Sequence, residues 1–304
     1  MFSVLLLKIL PVYITVLLGF IAGKFLKIDS PSIAKLLFYI VGPLVIFFGI
    51  SQVNINPEIL SLPLLTCLIC CIMSAVVYYT SALVFRDNTR NILAFSSGSS
   101  SMGFFGLPLA LAMFDDNTVS IYLFCYVGML IFENSFGFYL ATQGIYTTKT
   151  CIMKLIMLPA IYAAIAALSC SYFHIHIPTF LSDFAVNIRG TYVILGMMLL
   201  GVAVANIKSL SIDWKLISLA VIIKYILWPA LVIGYIVIDK LTIQLYDNDI
   251  YRALILIAIV PMSGTSIILA TILNNNPDKI ALMLLVNTII GLFYVPMMIS
   301  LLLS

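Results

Sequence analysis

Residues 95–108 read FSSGSSSMGFFGLP and lie inside an apolar stretch that runs from Ile92 to Met113. This segment contains five serines, three glycines and one proline. Proline removes a backbone donor and clashes with the preceding turn, while glycine and serine make local unwinding easier. The pattern therefore predicts a helix that is interrupted near its centre.

The composition around this segment is that of a membrane protein. Of the 304 residues, 63% are apolar and 9% are charged, whereas soluble domains are about 45–50% apolar and about 25% charged. The charged residues are too few to solvate a globule of this size. This excludes a soluble enzyme, a nucleic-acid binder and a disordered chain.

The apolar residues form about ten runs, each near the 20 residues that a helix needs to cross a bilayer. We therefore predict an all-α polytopic membrane protein with ten transmembrane helices. The first run lacks a small-residue cleavage pattern, so we interpret it as a span rather than a signal peptide. The predicted spans are residues 4–23, 33–52, 62–84, 92–113, 119–141, 153–172, 190–206, 216–237, 253–273 and 280–303, and the seventh could begin earlier, with Arg189 inside it.

The basic residues are distributed unequally between the two sides. The loops after odd-numbered spans hold ten Lys and Arg residues, the opposite side holds four, and Lys224 lies within a span. The positive-inside rule places the ten-charge side in the cytoplasm. We therefore predict a multi-pass protein of the cell membrane with both termini on the non-cytoplasmic side.

The two halves of the chain share a weak pattern. Pro11 and Pro159 open the first and sixth spans, and Arg90 and Arg252 precede the fourth and ninth. Residues 1–145 and 150–304 are therefore predicted to be two five-helix repeats of one transport domain. Because five is odd, the second repeat would be inverted, as in many secondary transporters.

The ninth span is also interrupted, at the place that corresponds to the break in the fourth. Residues 260–266 read VPMSGTS. Freed backbone groups survive in a membrane only inside the protein or along a wet cavity. Two matched breaks therefore predict a central site, where half-helix N-termini would bind an anion. The candidate substrate-binding residues are Ser101, Gly103, Phe104, Gly106, Pro108, Pro261, Ser263, Gly264 and Thr265.

Ionisable and amide residues within spans are further candidates, because charges in a bilayer are costly. Lys224 could attract an anionic substrate, and Glu133, beside Asn134, could carry a coupling proton; a buried structural Glu–Lys pair is the alternative. Asn287 is expected to hydrogen-bond within the bundle. Arg189, His174 and His176 lie near the outer ends of spans.

The six cysteines mostly fall inside apolar runs, and Cys67, Cys70 and Cys71 have no histidine or carboxylate nearby in sequence. They are interpreted as small buried hydrophobic residues rather than metal ligands. We expect no metal and no cofactor.

The segment Gly103–Leu109, GFFGLPL, resembles the Gly-Phe-x-Gly-Leu-Pro-Leu motif of the auxin efflux carrier family. The resemblance extends over the whole chain in length, span count and motif order. It is carried further by Lys224 with Pro229 in the eighth span, Pro261 in the ninth, and Pro11 and Pro159 at the openings of the two halves.

The resemblance implies a bacterial-type member with a five-plus-five inverted repeat, similar to bile-acid symporters and sodium/proton antiporters. Helices four and nine would cross at their breaks and bind the substrate there. Plant members of that family export auxin, and bacterial members are associated with malate, malonate and similar organic acids. Ser101 departs from the family, which usually has a substrate-contacting Asn at this position; a hydroxyl offers fewer donors.

These observations favour a secondary-active or potential-driven exporter of a small organic anion such as a dicarboxylate, and not an enzyme. Its partners would be that anion, the lipid bilayer and, as coupling ion, a proton or sodium, with no nucleic acid and with a homodimer left open. Two alternatives are an intramembrane enzyme resembling a serine protease, built on Ser99–Ser101, and a channel. The protease needs a base beside its nucleophile, and a channel needs a continuous polar stripe.

Overall fold

The computed structural model describes residues 2–51, 56–142, 149, 153, 157, 159–173, 175, 177–178, 180–206, 212–273 and 275–302. Within these ranges the regular structure is helical, apart from one isolated β-bridge. His174, His176, Cys151, Lys154 and Lys208 lie outside the described residues.

Within the described residues, three helical stretches contain a π-helical turn and two are interrupted completely. In chain order the helices are α1 (Phe2–Phe25), α2 (Ser30–Leu36), α3 (Gly42–Ile50), α4 (Pro57–Ser81), α5 (Thr89–Gly98), α6 (Leu107–Met113), α7 (Asp116–Asn134), α8 (Phe136–Thr142), α9 (Pro159–Tyr172), α10 (Phe180–Ala205), α11 (Trp214–Ile222), α12 (Trp228–Leu241), α13 (Asn248–Ile259), α14 (Thr265–Ile272) and α15 (Pro277–Leu302).

The all-helical membrane class is confirmed. Five described stretches are long and apolar enough to cross a bilayer: Pro31–Ile50, Pro57–Ser81, Asp116–Thr142, Trp214–Leu241 and Pro277–Leu302. Three shorter helices are also apolar, at Ile14–Phe25, Met102–Met113 and Pro159–Tyr172. The total of ten spans and the inverted repeat stay predictions.

Several helices begin a few residues before the predicted apolar run, because a polar residue caps a first turn that is not itself apolar. The side chains of Asn56 and Asp115 accept hydrogen bonds from the amides of Ile59 and Thr118, three residues on. Such caps satisfy one of the amide groups that a helix start leaves without a partner. Asp29, Asp213 and Asp247 cap α2, α11 and α13 in the same way.

Each π turn is followed after one residue by a proline. The turns are Leu37–Val41, Met102–Gly106 and Ile223–Leu227, and the prolines are Pro43, Pro108 and Pro229. Proline has no amide hydrogen and its ring clashes with the carbonyl four residues earlier. A wider turn relieves that clash, so the sequence itself explains where these π turns lie.

Most of the helix packing falls into two groups, which also contact each other, α3 against α7 and α10 against the π turn Met102–Gly106. In the first, α1 packs against α10 and α3 packs against α9. Glycines allow the closest of these approaches: a Cβ on Gly19 would lie 2.6 Å from the Cα of Met198. In the second group, α4 packs on α5 and α7, α12 on α13, and α11 on α15. The broken helices lie within this second group.

Candidate functional site

The two interrupted helices meet at their breaks. Helix α5 ends at Gly98 and the chain becomes helical again at Met102, while α13 ends at Ile259 and α14 begins at Thr265. The two extended segments form an antiparallel bridge between Ser100 and Met262. The structure therefore interrupts both helices within the predicted segments and brings the two interruptions together.

Two main-chain hydrogen bonds hold this crossing. The amide of Ser101 donates to the carbonyl of Pro261 at 2.8 Å, and the amide of Ser263 donates to the carbonyl of Ser99 at 3.2 Å. Each break thus satisfies backbone groups that the other break frees, as a membrane interior requires. Pro108 lies seven residues beyond Ser101, in the first turn of α6, so its direct effect is on the π turn rather than on the crossing itself.

Lys224 connects the two breaks from the π turn of the eighth span. Its Nζ donates to the Ser100 hydroxyl at 2.6 Å and to the Ile257 carbonyl at 3.3 Å. The ammonium group also lies 4.4 Å from the centre of the Trp228 ring, a cation–π contact. Pro261 has no amide hydrogen to offer the Ile257 carbonyl four residues earlier, so Lys224 supplies the missing donor. Lys224 is completely buried.

Glu133, on α7, contacts both breaks, at Ser99 and at the start of α14. Its Oε1 accepts hydrogen bonds from the hydroxyls of Ser99 and Thr265, the latter at 2.9 Å. The Ser263 hydroxyl is 2.8 Å from that of Thr265. Among the described residues, no ion pair joins Glu133 to Lys224, so the expected alternative of a buried Glu–Lys pair is wrong for this structure.

The two amides proposed with these charges have different positions. The Oδ1 of Asn287 accepts a hydrogen bond from the amide of Met262 at 2.9 Å, which supports the second break from α15. The Tyr225 hydroxyl donates to the Asn287 carbonyl. Asn134, in contrast, donates to the Leu130 carbonyl of its own helix at 2.9 Å, so it does not join the group around Glu133.

A small cavity adjoins the helix that starts at Met102. It has a volume of about 10 Å³, room for about one water molecule. Phe104 and two tyrosines, Tyr126 and Tyr192, contribute to its walls. A Cβ on Gly103 would lie 2.6 Å from the Tyr192 hydroxyl and 2.8 Å from that of Tyr126, so this glycine leaves its backbone close to both hydroxyls.

The electrostatics of the crossing follow from its four helix ends. The C-terminal ends of α5 and α13 carry partial negative charge, and their carbonyls at Ser97 and Ile257 accept from Trp228 and Lys224 respectively. The N-terminal end of α14 carries partial positive charge and has Glu133 beside it, through Thr265.

The fourth end, where the helix Met102–Met113 begins, differs from these three. In the described part of the chain no hydrogen bond or ion pair joins a charged side chain to this end. The Met102 amide donates to the Ser100 carbonyl at 2.7 Å, so the first-turn amides without an acceptor among the described residues are those of Gly103 and Phe104. The Ser101 hydroxyl beside it is buried and has no hydrogen-bond partner among the described residues. This is a positive helix end with no countercharge bonded to it among the described residues.

Three residues of this arrangement were missed by the sequence reasoning. Trp228, Tyr126 and Tyr192 lie in spans eight, five and seven, and aromatic residues in apolar spans are ordinary core residues by pattern. Only the fold brings them to the crossing. The signal available for Trp228 was its position four residues after Lys224, on the same helix face.

Comparison with known proteins agrees with this architecture. Residues 4–145 match the family described as membrane transport protein. An uncharacterized transporter of Methanocaldococcus jannaschii is 27% identical over 236 residues, which cover 73% of this chain and 76% of the relative. The resemblance inferred from the motif in the fourth span is confirmed. Both findings support a multi-pass membrane transporter, a class of protein that is generally not an enzyme.

Proposed function

We propose that the protein transports a small organic anion, which binds at the N-terminal end of the helix Met102–Met113. The observation that carries this proposal is that protein groups balance three of the four helix ends at the crossing, while the fourth, a positive end, has a buried hydroxyl without a partner. A carboxylate would accept hydrogen bonds from the Ser101 hydroxyl and from the amides of Gly103 and Phe104.

The other residues of the crossing shape this site. Phe104, Tyr126 and Tyr192 form the wall beside it, while Gly106 and Pro108 maintain the wide π turn. Pro261 and Ser263 align the second break through their backbone bonds. Lys224 acts as a positioning residue, since both of its hydrogen bonds are to the crossing itself. Dicarboxylates such as malate and malonate are the first candidates, because the resemblance points to them.

Alternating access would be produced by rocking of the two helix groups. The packing supports the proposed repeats of residues 1–145 and 150–304, because equivalent spans make equivalent contacts. The first span of each half packs against the second span of the other half, as α1 with α10 and α9 with α3. The third span of each half packs against the fourth and fifth spans of its own half: α4 with α5 and α7, and α11–α12 with α13 and α15. An ion pair of 3.2 Å joins Arg189 of the first group to Asp116 of the second, and would open and close at each cycle.

Export is the direction that the membrane potential favours. In a cell that is negative inside, an anion leaving the cytoplasm gains about 2.3 kcal/mol per charge per 100 mV. The proposed location is the cell membrane, with both termini on the non-cytoplasmic side.

The enzyme alternative gains one observation, the contact between Ser100 and Lys224, since serine–lysine pairs occur in some hydrolases. A catalytic base needs a free lone pair, however, and Lys224 also donates to Ile257 and lies over Trp228. These contacts are those of an ammonium donor. The transporter remains the function that the geometry supports best.

Counterflow of labelled malonate and malate into proteoliposomes tests the proposal. A hydrogen bond to a charged group contributes about 1.5–3 kcal/mol, so Ser101→Ala is expected to raise KM about tenfold or more. Pro108→Ala should reduce transport because the π turn that presents Gly103 would relax. Ser218→Ala is the control, because this exposed serine bonds only to its own helix. Counterflow that is unaltered in both site variants would remove this site.

A further inference from the structure

Glu133 is a buried carboxylate without a countercharge. Its residue is 6% exposed, and its contacts are the hydroxyls that come from the two breaks. In the described ranges the ionisable groups near it are Cys70 of α4 and Tyr126 of α7, which are ordinarily neutral at neutral pH. Lys224 approaches the same crossing but donates to Ser100 and Ile257 instead.

The group around Glu133 can serve the carboxylate in both protonation states. A hydroxyl both donates and accepts, and its hydrogen rotates to suit its neighbour. With Glu133 ionised, Ser99 and Thr265 donate to it; with Glu133 protonated, one of these oxygens accepts instead. No heavy atom needs to move, so a proton can be loaded and released without breaking the crossing.

Space beside the break gives a proton a route to this carboxylate. A Cβ placed on Gly264 would have no described atom within 4 Å. Gly264 and Thr265 are also partly exposed, unlike the residues that precede them in the break. Neither Gly264 nor Thr265 lines the cavity near Tyr126, so a proton and an anion need not compete for one position.

The distance between the two positions sets the strength of their interaction. Tyr126 and Glu133 are seven residues apart on α7, which corresponds to about 10 Å along the helix. At about 10 Å, with an effective dielectric constant of about 20, a unit charge and a doubly charged anion change each other's binding by on the order of a hundredfold. An ionised Glu133 would therefore repel an anion at the proposed site.

We propose that Glu133 binds a proton, and that this proton and the transported anion favour each other's binding, which makes the protein a proton–anion symporter. This rests on the proposed function. The proton is taken from water onto a carboxylate oxygen of Glu133 and is returned to water on the other side of the membrane. By reciprocity, the anion strengthens proton binding by the same factor by which the proton strengthens anion binding.

The first experiment measures the proton site without any anion. Purified protein in proteoliposomes is adsorbed on a solid-supported membrane, and the charge displaced by a pH jump is recorded. The wild type is expected to give a transient that is lost in Glu133→Gln and kept, with a shifted midpoint pH, in Glu133→Asp. Glu58→Gln is the matched control, because Glu58 lies in the first turn of α4. A transient that persists unchanged in Glu133→Gln overturns the proposal.

The second experiment measures the linkage. Malonate affinity is followed by counterflow over a pH range in which malonate stays doubly charged. The wild type should bind on the order of a hundredfold more tightly at the acidic end, whereas Glu133→Gln should bind tightly at every pH. Equal pH dependence in wild type and Glu133→Gln refutes the linkage.

The two proposals fail in different ways. Ser101→Ala should weaken malonate counterflow and leave the pH-jump transient intact. Loss of the anion site would therefore leave the proton result standing, and loss of the transient would leave the anion result standing. If Glu133→Gln does not fold, the test rests on the midpoint pH of the transient in Glu133→Asp. A midpoint pH equal to that of the wild type overturns the assignment of the proton to Glu133.

Discussion

Gly128 is a position where a single added methyl group should be strongly destabilising. It lies on α7 between Tyr126 and Glu133, and it faces the backbone of α4. A Cβ there would lie 2.8 Å from both the Cα and the carbonyl carbon of Pro63, and closer still to its carbonyl oxygen. These are main-chain atoms, so relief requires that the two helices move apart.

The magnitude follows from two opposing effects. Alanine in a helix is favoured over glycine by about 1 kcal/mol, while overpacking typically costs about 1–3 kcal/mol and occasionally more. Because the clash is with backbone atoms, the overpacking cost of Gly128→Ala should lie at or above about 3 kcal/mol. After the helix preference of alanine is subtracted, the free energy of unfolding should fall by about 2 kcal/mol. In a chain of this size, a loss of about 1 kcal/mol in stability lowers the midpoint temperature of unfolding by roughly 2–4 °C. The midpoint temperature of Gly128→Ala should therefore lie about 6 °C below that of the wild type.

The assay is thermal unfolding in detergent at one fixed scan rate, since unfolding of such a protein is expected to be irreversible. Gly234→Ala is the matched control, because this glycine lies inside α12 and its Cβ would meet no described atom within 4 Å. Its midpoint should stay unchanged or rise slightly. Equal midpoints for the two variants would show that α4 and α7 are not in backbone contact, and the reasoning would be refuted. Transport should also fall in Gly128→Ala, because α7 carries Tyr126 and Glu133.

Two further substitutions test the crossing and a helix start. Lys224→Met removes two charge-assisted hydrogen bonds of about 1.5–3 kcal/mol each, but it also removes a buried charge whose desolvation costs several kcal/mol. The midpoint of thermal unfolding should therefore move by only a few degrees, while counterflow falls at least tenfold. A large loss of stability with normal transport would contradict a positioning role. Asp115→Ala should cost about 1 kcal/mol at pH 7. Hydrogen bonds from the side chain and amide of Thr118 hold the pKa of the Asp115 carboxyl below its usual value. The stabilisation is therefore present above about pH 4 and is lost as the pH falls through the lowered pKa. If variant and wild type differed in unfolding midpoint by the same amount at pH 7 and pH 3, this cap would be excluded.

The membrane spans could be predicted because their signal is long. Twenty consecutive apolar residues have few alternative interpretations, and the described helices follow the predicted runs closely; Leu62–Val84, for example, corresponds to α4 at Pro57–Ser81. The errors lie at helix starts, where a cap such as Asn56 precedes a first turn that is not apolar throughout. The helix around Arg189 begins at Phe180, earlier than predicted, because a charged side chain near the end of a span interrupts hydropathy without interrupting the helix.

The crossing could be predicted only in part, because it is formed mostly by main-chain atoms. Serine, glycine and proline mark a place where a helix must break, so both breaks were visible in the sequence. The groups that join them are mostly main-chain atoms, such as the Pro261 carbonyl and the Ser263 amide, and a main-chain atom has no signature of its own in a sequence. Side chains from other spans join the site only after folding. Lys224 shows the difference: its charge inside an apolar run marked it as important, but its task, which is to donate to the carbonyl that Pro261 leaves without an amide, can be stated only once the two helices are in contact.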